Sequence, residues 1–298
     1  MTDFISVILP TYNPNITRLT LTISGLKHQT LAHNNWELIV VDNSSTPAVN
    51  IDLSWHPNNK IINATRIGLT FARLKGFEQA VGSIIVMVDD DNILSEDYLT
   101  TVREIFKTNK ELGSAGGKSL PIFEKTPPKW VEEFYSNLAL RDLGETELTG
   151  FWGNEYPSFA PIGAGMAIRK EALTSYKCKS HLISDRKGSS LSSGGDNDIT
   201  VEILKLGWQT GYFPNLILHH LIPVNRVSVV YLAQLLHDSN KSWIQLLEHH
   251  GINPWRKISD RTVLYRKIKA WFVYRAWKKN ANYIRWKGAC GTFEGLVE

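Results

Sequence analysis

Three consecutive carboxylates, Asp89-Asp90-Asp91, follow directly on the apolar run Ile84-Ile85-Val86-Met87-Val88. Five apolar residues without interruption read as a strand buried on both faces. In α/β sheets built from such strands, ligands bind beyond the carboxyl ends. Like charges this close push at least one pKa upward unless a cation relieves them. A divalent ion is the obvious relief, since Mg²⁺ or Mn²⁺ takes one or two carboxylates and completes its shell with substrate phosphates. The plainer reading is a cap, with Asp91 or Asn92 opening a helix through Ser95-Glu96-Asp97. A cap needs one such residue, and here there are three. A second acidic group, Asp196-Asn197-Asp198, ends the flexible run from Ser189 to Gly195 and precedes the helical spacing Ile199, Ile203, Leu206. An Asp there serves equally well as a cap or as a general base, exposed by the loop and fixed by the helix. His219 and His220 are adjacent, so on a strand they point to opposite faces and at most one reaches a shared site. His219 is slightly favoured, against an equally weighted packed or capping histidine.

The elements that must position these groups alternate. Phe4 to Pro10 reads as a buried strand, Ile16 to Gln29 as a helix, Trp36 to Val41 as a strand and Lys60-Ile61-Ile62 as a short third strand. A helix opens near Gly68, the central strand ends at the aspartates, and a further helix spans Glu96 to Asn109. Ser114 to Lys118 reads as a turn out of another strand, and Pro161 to Arg169 as a strand whose glycines permit close backbone approach to a ligand. Pro121 to Phe159 has no clean period and reads as an irregular covering loop. Alternation of this kind gives a doubly wound, mostly parallel α/β sheet. Polar groups gather after each strand: Thr11 and Asn13, Asp42, then Asp89 to Asp91. No P-loop is present and no GxGxxG follows the first strand, which disfavours P-loop nucleotidases and dinucleotide-binding enzymes.

At 298 residues the chain can hold one large domain or two moderate ones, and 43% apolar with 21% charged residues is ordinary for a globular protein. Met1-Thr2-Asp3 runs straight into a strand, so no signal peptide is read, and nothing approaches a membrane-spanning run. Cys178 and Cys290 lack metal-ligand spacing and are expected to be buried, inert thiols, as suits a reducing cytoplasm. The net charge of +4 conceals an asymmetry. From Arg256 onward 11 Lys/Arg face 3 Asp/Glu, a net of +8, while the preceding 22 basic and 26 acidic residues give −4.

Assembled, these residues resemble an inverting glycosyltransferase of family 2 with the GT-A fold, over roughly residues 4 to 225. Ser6 to Asn13 resembles the opening motif of the family, and Glu37 to Ser45 the second motif, whose aspartate reads the nucleotide base. Asp89-Asp90-Asp91 resembles the DxD element, Gly195-Asp196-Asn197-Asp198 the acceptor-side motif, and Leu218 to Pro223 the closing histidine segment. The resemblance implies a nucleotide-sugar site at Pro10, Thr11, Tyr12, Asn13, Asp42, Arg66, Arg73, Asp89 and Asp90, with Asp89 near the ribose. It implies a Mn²⁺ or Mg²⁺ site at Asp91 with Asp89 and His219, a catalytic base at Asp196, and an acceptor side at Gly165, Gly195 and Asp198. There are two departures. Gly195 stands where many members have glutamate, and Arg66 and Leu74 replace asparagines usual in the family, while Arg73 matches. Either arginine suits diphosphate, because a guanidinium fork fits phosphate oxygens. The plainer reading of both is a surface arginine on a helix.

The implied domains are a catalytic domain over 1–225, with a nucleotide-sugar half to about 118 and an acceptor half from about 119, and a helical extension over 226–298. The implied activity moves a sugar, from a UDP-sugar by preference, to a hydroxyl of a saccharide or lipid-linked saccharide in cell-surface polysaccharide or glycan synthesis. The competing class is a catalytically silent binding module at a membrane surface. A sugar nucleotidyltransferase would want a glycine- and arginine-rich loop where Pro10-Thr11-Tyr12-Asn13 stands. In the basic tail, Leu264, Ile268, Trp271 and Phe272 make one helical face, interrupted by Arg275 on the same stripe. Trp, Tyr and Lys/Arg together suit the headgroup layer of an anionic membrane. The equal alternative packs the aromatics on the body and leaves a solvated basic face. The expected location is cytoplasmic, or peripheral on the inner face of the membrane, and no nucleic-acid partner is expected.

Overall fold

The computed structural model describes residues 4–178 and 191–298, so Ser189 and Ser190 of the glycine-serine run lie outside the described residues. The chain divides into two compact units. The described residues of 4–122, 139–178 and 196–221 form an α/β unit, and those of 123–138, 191–195 and 222–298 form a second unit dominated by helices.

The α/β unit begins with β1 (Ile5–Thr11), α1 (Ile16–Lys27), β2 (Trp36–Asp42), β3 (Asn59–Asn63), α2 (Leu69–Gln79) and β4 (Ile84–Met87). There follow β5 (Asn92–Leu94), α3 (Tyr98–Thr108), β6 (Leu112–Phe123), β7 (Leu148–Gly150), β8 (Ala167–Arg169), α4 (Thr174–Cys178), α5 (Gly195–Lys205) and β9 (Gln209–Ile222). The sheet runs β3-β2-β1-β4-β8-β6-β9-β5, with β7 on β9. Strands β3, β2, β1 and β4 form its parallel block. Strands β8, β5 and β7 join by antiparallel pairing.

Burial explains why β1, β2 and β4 carry long apolar runs, whereas the edge strand β3 alternates exposed and half-buried residues. Ile5, Val7 and Leu9 with Leu38, Val40, Ile84 and Val86 face one hydrophobic core. Ile8, Ile39, Val41, Ile85 and Met87 face the other. Strand side chains alternate, so a strand covered on both sides is apolar at most positions, and the buried polar pair Ser6 and Glu37 is hydrogen-bonded between β1 and β2 at 2.6 Å. Two expected elements differ. Ser114 to Lys118 lies within the long strand β6 instead of turning out of one. Of Pro161 to Arg169 only Ala167–Arg169 is strand, because Gly165 takes φ +73 and breaks the extended run before it.

The helical unit contains α6 (Val229–His249), α7 (Val263–Val273) and α8 (Asn280–Gly295). Cys290 is buried on α8, and burial pushes its thiol pKa up, whereas Cys178 at the end of α4 is exposed, contrary to expectation. The stripe on α7 is also cleaner than its sequence implies. The helix ends at Val273, and Arg275 takes φ +49 in the turn beyond, so it does not interrupt the apolar face. Among the described residues, no helix is long and apolar enough to cross a membrane.

Glu294 ties these three helices together. It accepts from Lys267 Nζ of α7 at 2.7 Å and from Lys241 Nζ of α6 at 3.2 Å, with His237 Nε2 of α6 also at 3.2 Å. Burial opposes its charge, but the hydrogen bonds from Lys267, His237 and Lys241 outweigh that and hold its carboxyl at about 2. A carboxyl depressed below its ordinary 4.5 stabilises the fold fully above that value, and the contribution fades as pH falls through about 2. Between pH 4.5 and 2 the thermal midpoint of the wild-type chain should therefore fall more steeply than that of Glu294→Gln. Parallel profiles would show that the cluster contributes nothing to acid stability.

Candidate active site

The three aspartates leave the end of β4 in three directions. Asp89 Oδ1 lies 3.3 Å from Arg73 Nη2, and Arg73 is a buried residue of α2. Asp90 accepts a short hydrogen bond from Thr11 Oγ1 at the end of β1. Asp91 is buried and lies 3.4 Å from His220 Nε2, while Asn92 Nδ2 donates to it at 3.3 Å. One carboxylate thus meets a guanidinium, one a hydroxyl and one an imidazole. Protein partners relieve part of the like-charge repulsion on which the sequence argument for a metal rests.

His220, and not His219, is the histidine brought to this cluster. The antiparallel register Asn92↔His220 sets His220 beside Asp91, whereas His219 lies opposite Ile93 and is half-buried. This corrects the expected choice, and strand alternation is its physical cause. The donor set suits a divalent ion. Ligand atoms each about 2.1 Å from one ion lie about 3 Å apart, near the separation of Asp91 Oδ1 and His220 Nε2, and carboxylate with imidazole suits Mn²⁺.

The loops after β1 and β2 are stitched together. The backbone N–H of Asn13, at φ +46, donates to Ser45 Oγ at 2.9 Å, and Thr46 N–H donates to Asn13 Oδ1 at 2.8 Å. Pro10 and Thr11 are buried in β1, and Tyr12 is exposed beside them. Asp42 is buried, and its two oxygens accept from the N–H groups of Ser45 and Val49 at 2.8 and 2.9 Å. Burial raises its pKa, but the Ser45 and Val49 bonds more than offset this and leave it below the ordinary value. Asp42 therefore shapes its own loop. Asn43, which the sequence did not single out, reaches across to the segment before α2. Its Nδ2 donates to the carbonyls of Ala64 and Arg66, both at 2.8 Å, and its Oδ1 accepts from Gly68 N–H at 2.7 Å. Arg66 is exposed, with its guanidinium 3.5 Å above the Phe71 ring.

Asp196 sits in the first turn of α5, half-exposed. Its Oδ2 accepts from Gly163 N–H at 2.7 Å and its Oδ1 from Asn197 N–H at 2.9 Å. A β-carbon at Gly163 would lie 2.9 Å from Arg73 Nη2 and 3.2 Å from Asp196 Oδ2, so a side chain there would crowd the two groups that converge on it. Gly165 behaves otherwise. A β-carbon there would meet Leu218 and the Tyr98 hydroxyl at 2.5 Å, and Tyr98 donates to its carbonyl at 2.6 Å. The close approach that Gly165 makes here is to the protein's own side chains. Gly195 and Asp198 are both buried on α5, unlike Asp196.

Two further groups come from the stretch that lacked periodicity. Tyr156 donates to Asn197 Oδ1 at 2.6 Å, and burial pushes its phenol well above the ordinary range. Arg141 donates to the Ala160 carbonyl, and burial lowers its pKa against the opposing pull of Tyr156 and Asp196. A lone arginine and a lone tyrosine in an aperiodic segment carry no spacing signal, so sequence reasoning passed over both. A cleft of about 830 Å³ lined by Phe4, Val81, Ser83, Lys170 and Thr174 opens where β1 and β4 begin. It contains none of the residues above.

A sequence profile described as Glycosyl transferase family 2 matches residues 6–174. Asp196, His219 and His220 lie beyond that match. The succinoglycan biosynthesis protein ExoM of Rhizobium meliloti is 25% identical over 199 residues, covering 64% of this chain and 57% of ExoM. An N-acetylglucosaminyltransferase of Bradyrhizobium diazoefficiens is 24% identical over 265 residues, 83% of this chain and 52% of that protein. A glucosyl-dolichyl phosphate glucuronosyltransferase of Haloferax volcanii is 30% identical over 69 residues, 23% of this chain and 22% of that protein. The chain thus spans 57% or less of the length of each of these relatives. Among solved structures, S. aureus TarS 1–349 in complex with UDP superposes with a TM-score of 0.52 at 15% identity, over 97% of this chain and 89% of TarS 1–349. At that identity the likeness is one of fold, and the fold is GT-A.

Asn43→Ala would strand the Gly68 N–H and the Arg66 carbonyl and remove one of the two donors to the Ala64 carbonyl, all in the segment before α2. We expect it to cost about 2–3 kcal/mol, read as a lower thermal midpoint of the whole chain. An unchanged midpoint would mean that this segment needs no such tether.

Proposed function

This chain belongs to glycosyl transferase family 2, and we propose that it moves a sugar from a nucleoside diphosphate sugar to an acceptor hydroxyl with inversion at the anomeric carbon. One observation carries the reading: Arg73 and Asp196 converge on Gly163. A guanidinium suited to diphosphate thereby neighbours a carboxylate suited to deprotonating a hydroxyl.

The donor lies across the carboxyl ends of β1, β2 and β4. The stitched loops from Pro10 to Asn13 and from Asp42 onward flank the base, Asp89 and Asp90 lie toward the ribose, and Arg66 and Arg73 face the diphosphate. Asp91, with Asp89 and His220, would hold Mn²⁺ or Mg²⁺, and the ion would supply charge neutralisation for the departing diphosphate. Asp196 accepts the proton of the acceptor hydroxyl as that oxygen attacks the anomeric carbon from the face opposite the diphosphate. The bond from that carbon to the diphosphate oxygen breaks, and its electron pair leaves with the nucleoside diphosphate. The N–H groups of Gly163 and Asn197 hold the Asp196 carboxylate in one orientation, and Gly195 and Asp198 border the acceptor side.

A UDP-sugar is favoured because TarS, of like fold, was crystallised with UDP. A saccharide or lipid-linked saccharide acceptor in polysaccharide or glycan synthesis agrees with relatives named for succinoglycan biosynthesis, N-acetylglucosaminyl transfer and a glucosyl-dolichyl phosphate.

The test is nucleotide release from UDP-, GDP- and dTDP-sugars with Mn²⁺, Mg²⁺ or EDTA, with and without saccharide acceptors. We expect one UDP-sugar to be consumed, and EDTA to abolish the reaction. No release together with no nucleotide-sugar binding would favour the silent binding module. Asp196→Asn should lower turnover by about 10²–10⁴ while leaving donor affinity within about twofold of wild type. Equal loss of donor binding would make Asp196 a structural cap.

A further inference from the structure

The apolar ridge of α7 points away from the helices that hold it. Leu264, Ile268 and Phe272, spaced i, i+4 and i+8, align on one side with Tyr265 beside them, and these four residues are 52–69% exposed. Val263 and Ala270, on the opposite side, are the buried positions of the helix. Two contacts fix this rotation: Lys267 reaches Glu294, and Trp286 Nε1 donates to the Lys267 carbonyl at 2.9 Å. The ridge continues past the helix end, where Trp277, 54% exposed, packs edge-on against Phe272 with ring centroids 5.7 Å apart. An inward lysine and an outward Leu-Ile-Phe row invert the usual arrangement of a surface helix. Packing among the described residues of the unit does not explain it.

The charge around the ridge selects the occupant. Residues 261–287 contain nine Lys/Arg and no Asp or Glu. Arg261, Arg266, Lys269, Arg275, Lys278 and Lys279 are exposed beside the ridge. A second copy seated here by a two-fold axis would set this patch against itself, cation against cation. A nucleic acid would meet the cations but leave Leu264 and Ile268 in water. Only a surface that is anionic outside and apolar just beneath satisfies both sets of groups.

We propose that α7 and the turn to Trp277 form a docking surface for an anionic lipid bilayer. The helix lies in the plane of the headgroups, with Leu264, Ile268, Phe272 and Trp277 dipping into the acyl boundary and the flanking Lys and Arg side chains meeting lipid phosphates. The proposal is independent of the glycosyl transfer reading, because it concerns residues outside that site.

The test is flotation of the full chain with phosphatidylcholine vesicles, with and without 30% phosphatidylglycerol, at low and high salt. Wild type should float with the anionic vesicles, at least tenfold less with pure phosphatidylcholine, and less at high salt. The triple variant Leu264→Ser/Ile268→Ser/Phe272→Ser should lose at least tenfold in vesicle affinity. Its thermal midpoint should match wild type, because the three side chains are exposed. Wild type that ignores anionic vesicles, or a triple variant that binds as well as wild type, would overturn the proposal. So would a wild-type dimer that the triple variant dissociates, with no vesicle binding by either. If nucleotide release fails while flotation succeeds, the glycosyl transfer reading falls and this one stands.

Discussion

Consecutive carboxylates at the end of a buried strand can coexist only if the surrounding structure separates them, and much of the α/β unit bears on that separation. Arg73 of α2 faces Asp89, Thr11 of β1 holds Asp90, and His220 of β9 lies against Asp91. Those partners come from a helix and two strands, of which β1 pairs with β4 directly and β9 lies beyond β8 and β6 in the sheet. The parallel pairing of β1 with β4 brings Thr11 into reach, and the antiparallel pairing of β5 with β9 does the same for His220. Two cores on opposite sheet faces keep those strands in register. The same arrangement leaves oxygen and nitrogen donors together at one edge of the sheet, which is chemistry suited to a divalent ion and a diphosphate.

Asp196 comes to this edge by another route. Its helix starts where a glycine-rich run ends, and its carboxylate is held by backbone N–H groups of Gly163 and Asn197. Arg73 also approaches Gly163, where a β-carbon would crowd both groups. Gly163 thus acts by what it lacks. Gly165, two residues on, serves packing against Tyr98 and Leu218 instead. Two glycines in one short segment carry different work, and their spacing in the sequence does not separate them.

The helical unit contains a half-buried ionic cluster. Glu294 draws Lys267, Lys241 and His237 together, and the first of these orients α7. Once Lys267 is committed inward, helical geometry leaves Leu264, Ile268 and Phe272 facing out. Arg275, which spoils the stripe on an ideal wheel, leaves it because the helix ends before that position.

The parallel strands, the helices between them, the aspartate cluster and the family resemblance were all legible in the sequence. Strands covered on both faces are apolar along most of their length, and a run such as Ile84 to Val88 ending in acid is a local signal that needs no partner to interpret. The basic, acid-free character of 261–287 was equally plain. What tertiary structure decided were choices between neighbours: His220 over His219, Gly163 over Gly165, and three separate partners for three aspartates. Arg141, Tyr156 and Asn43 join the site region from segments with no periodicity. Each of these depends on strand register or on a loop crossing between elements. Composition and spacing record what one residue does to the next along the chain. Register and crossing are fixed by residues far apart in sequence, so only the folded chain expresses them.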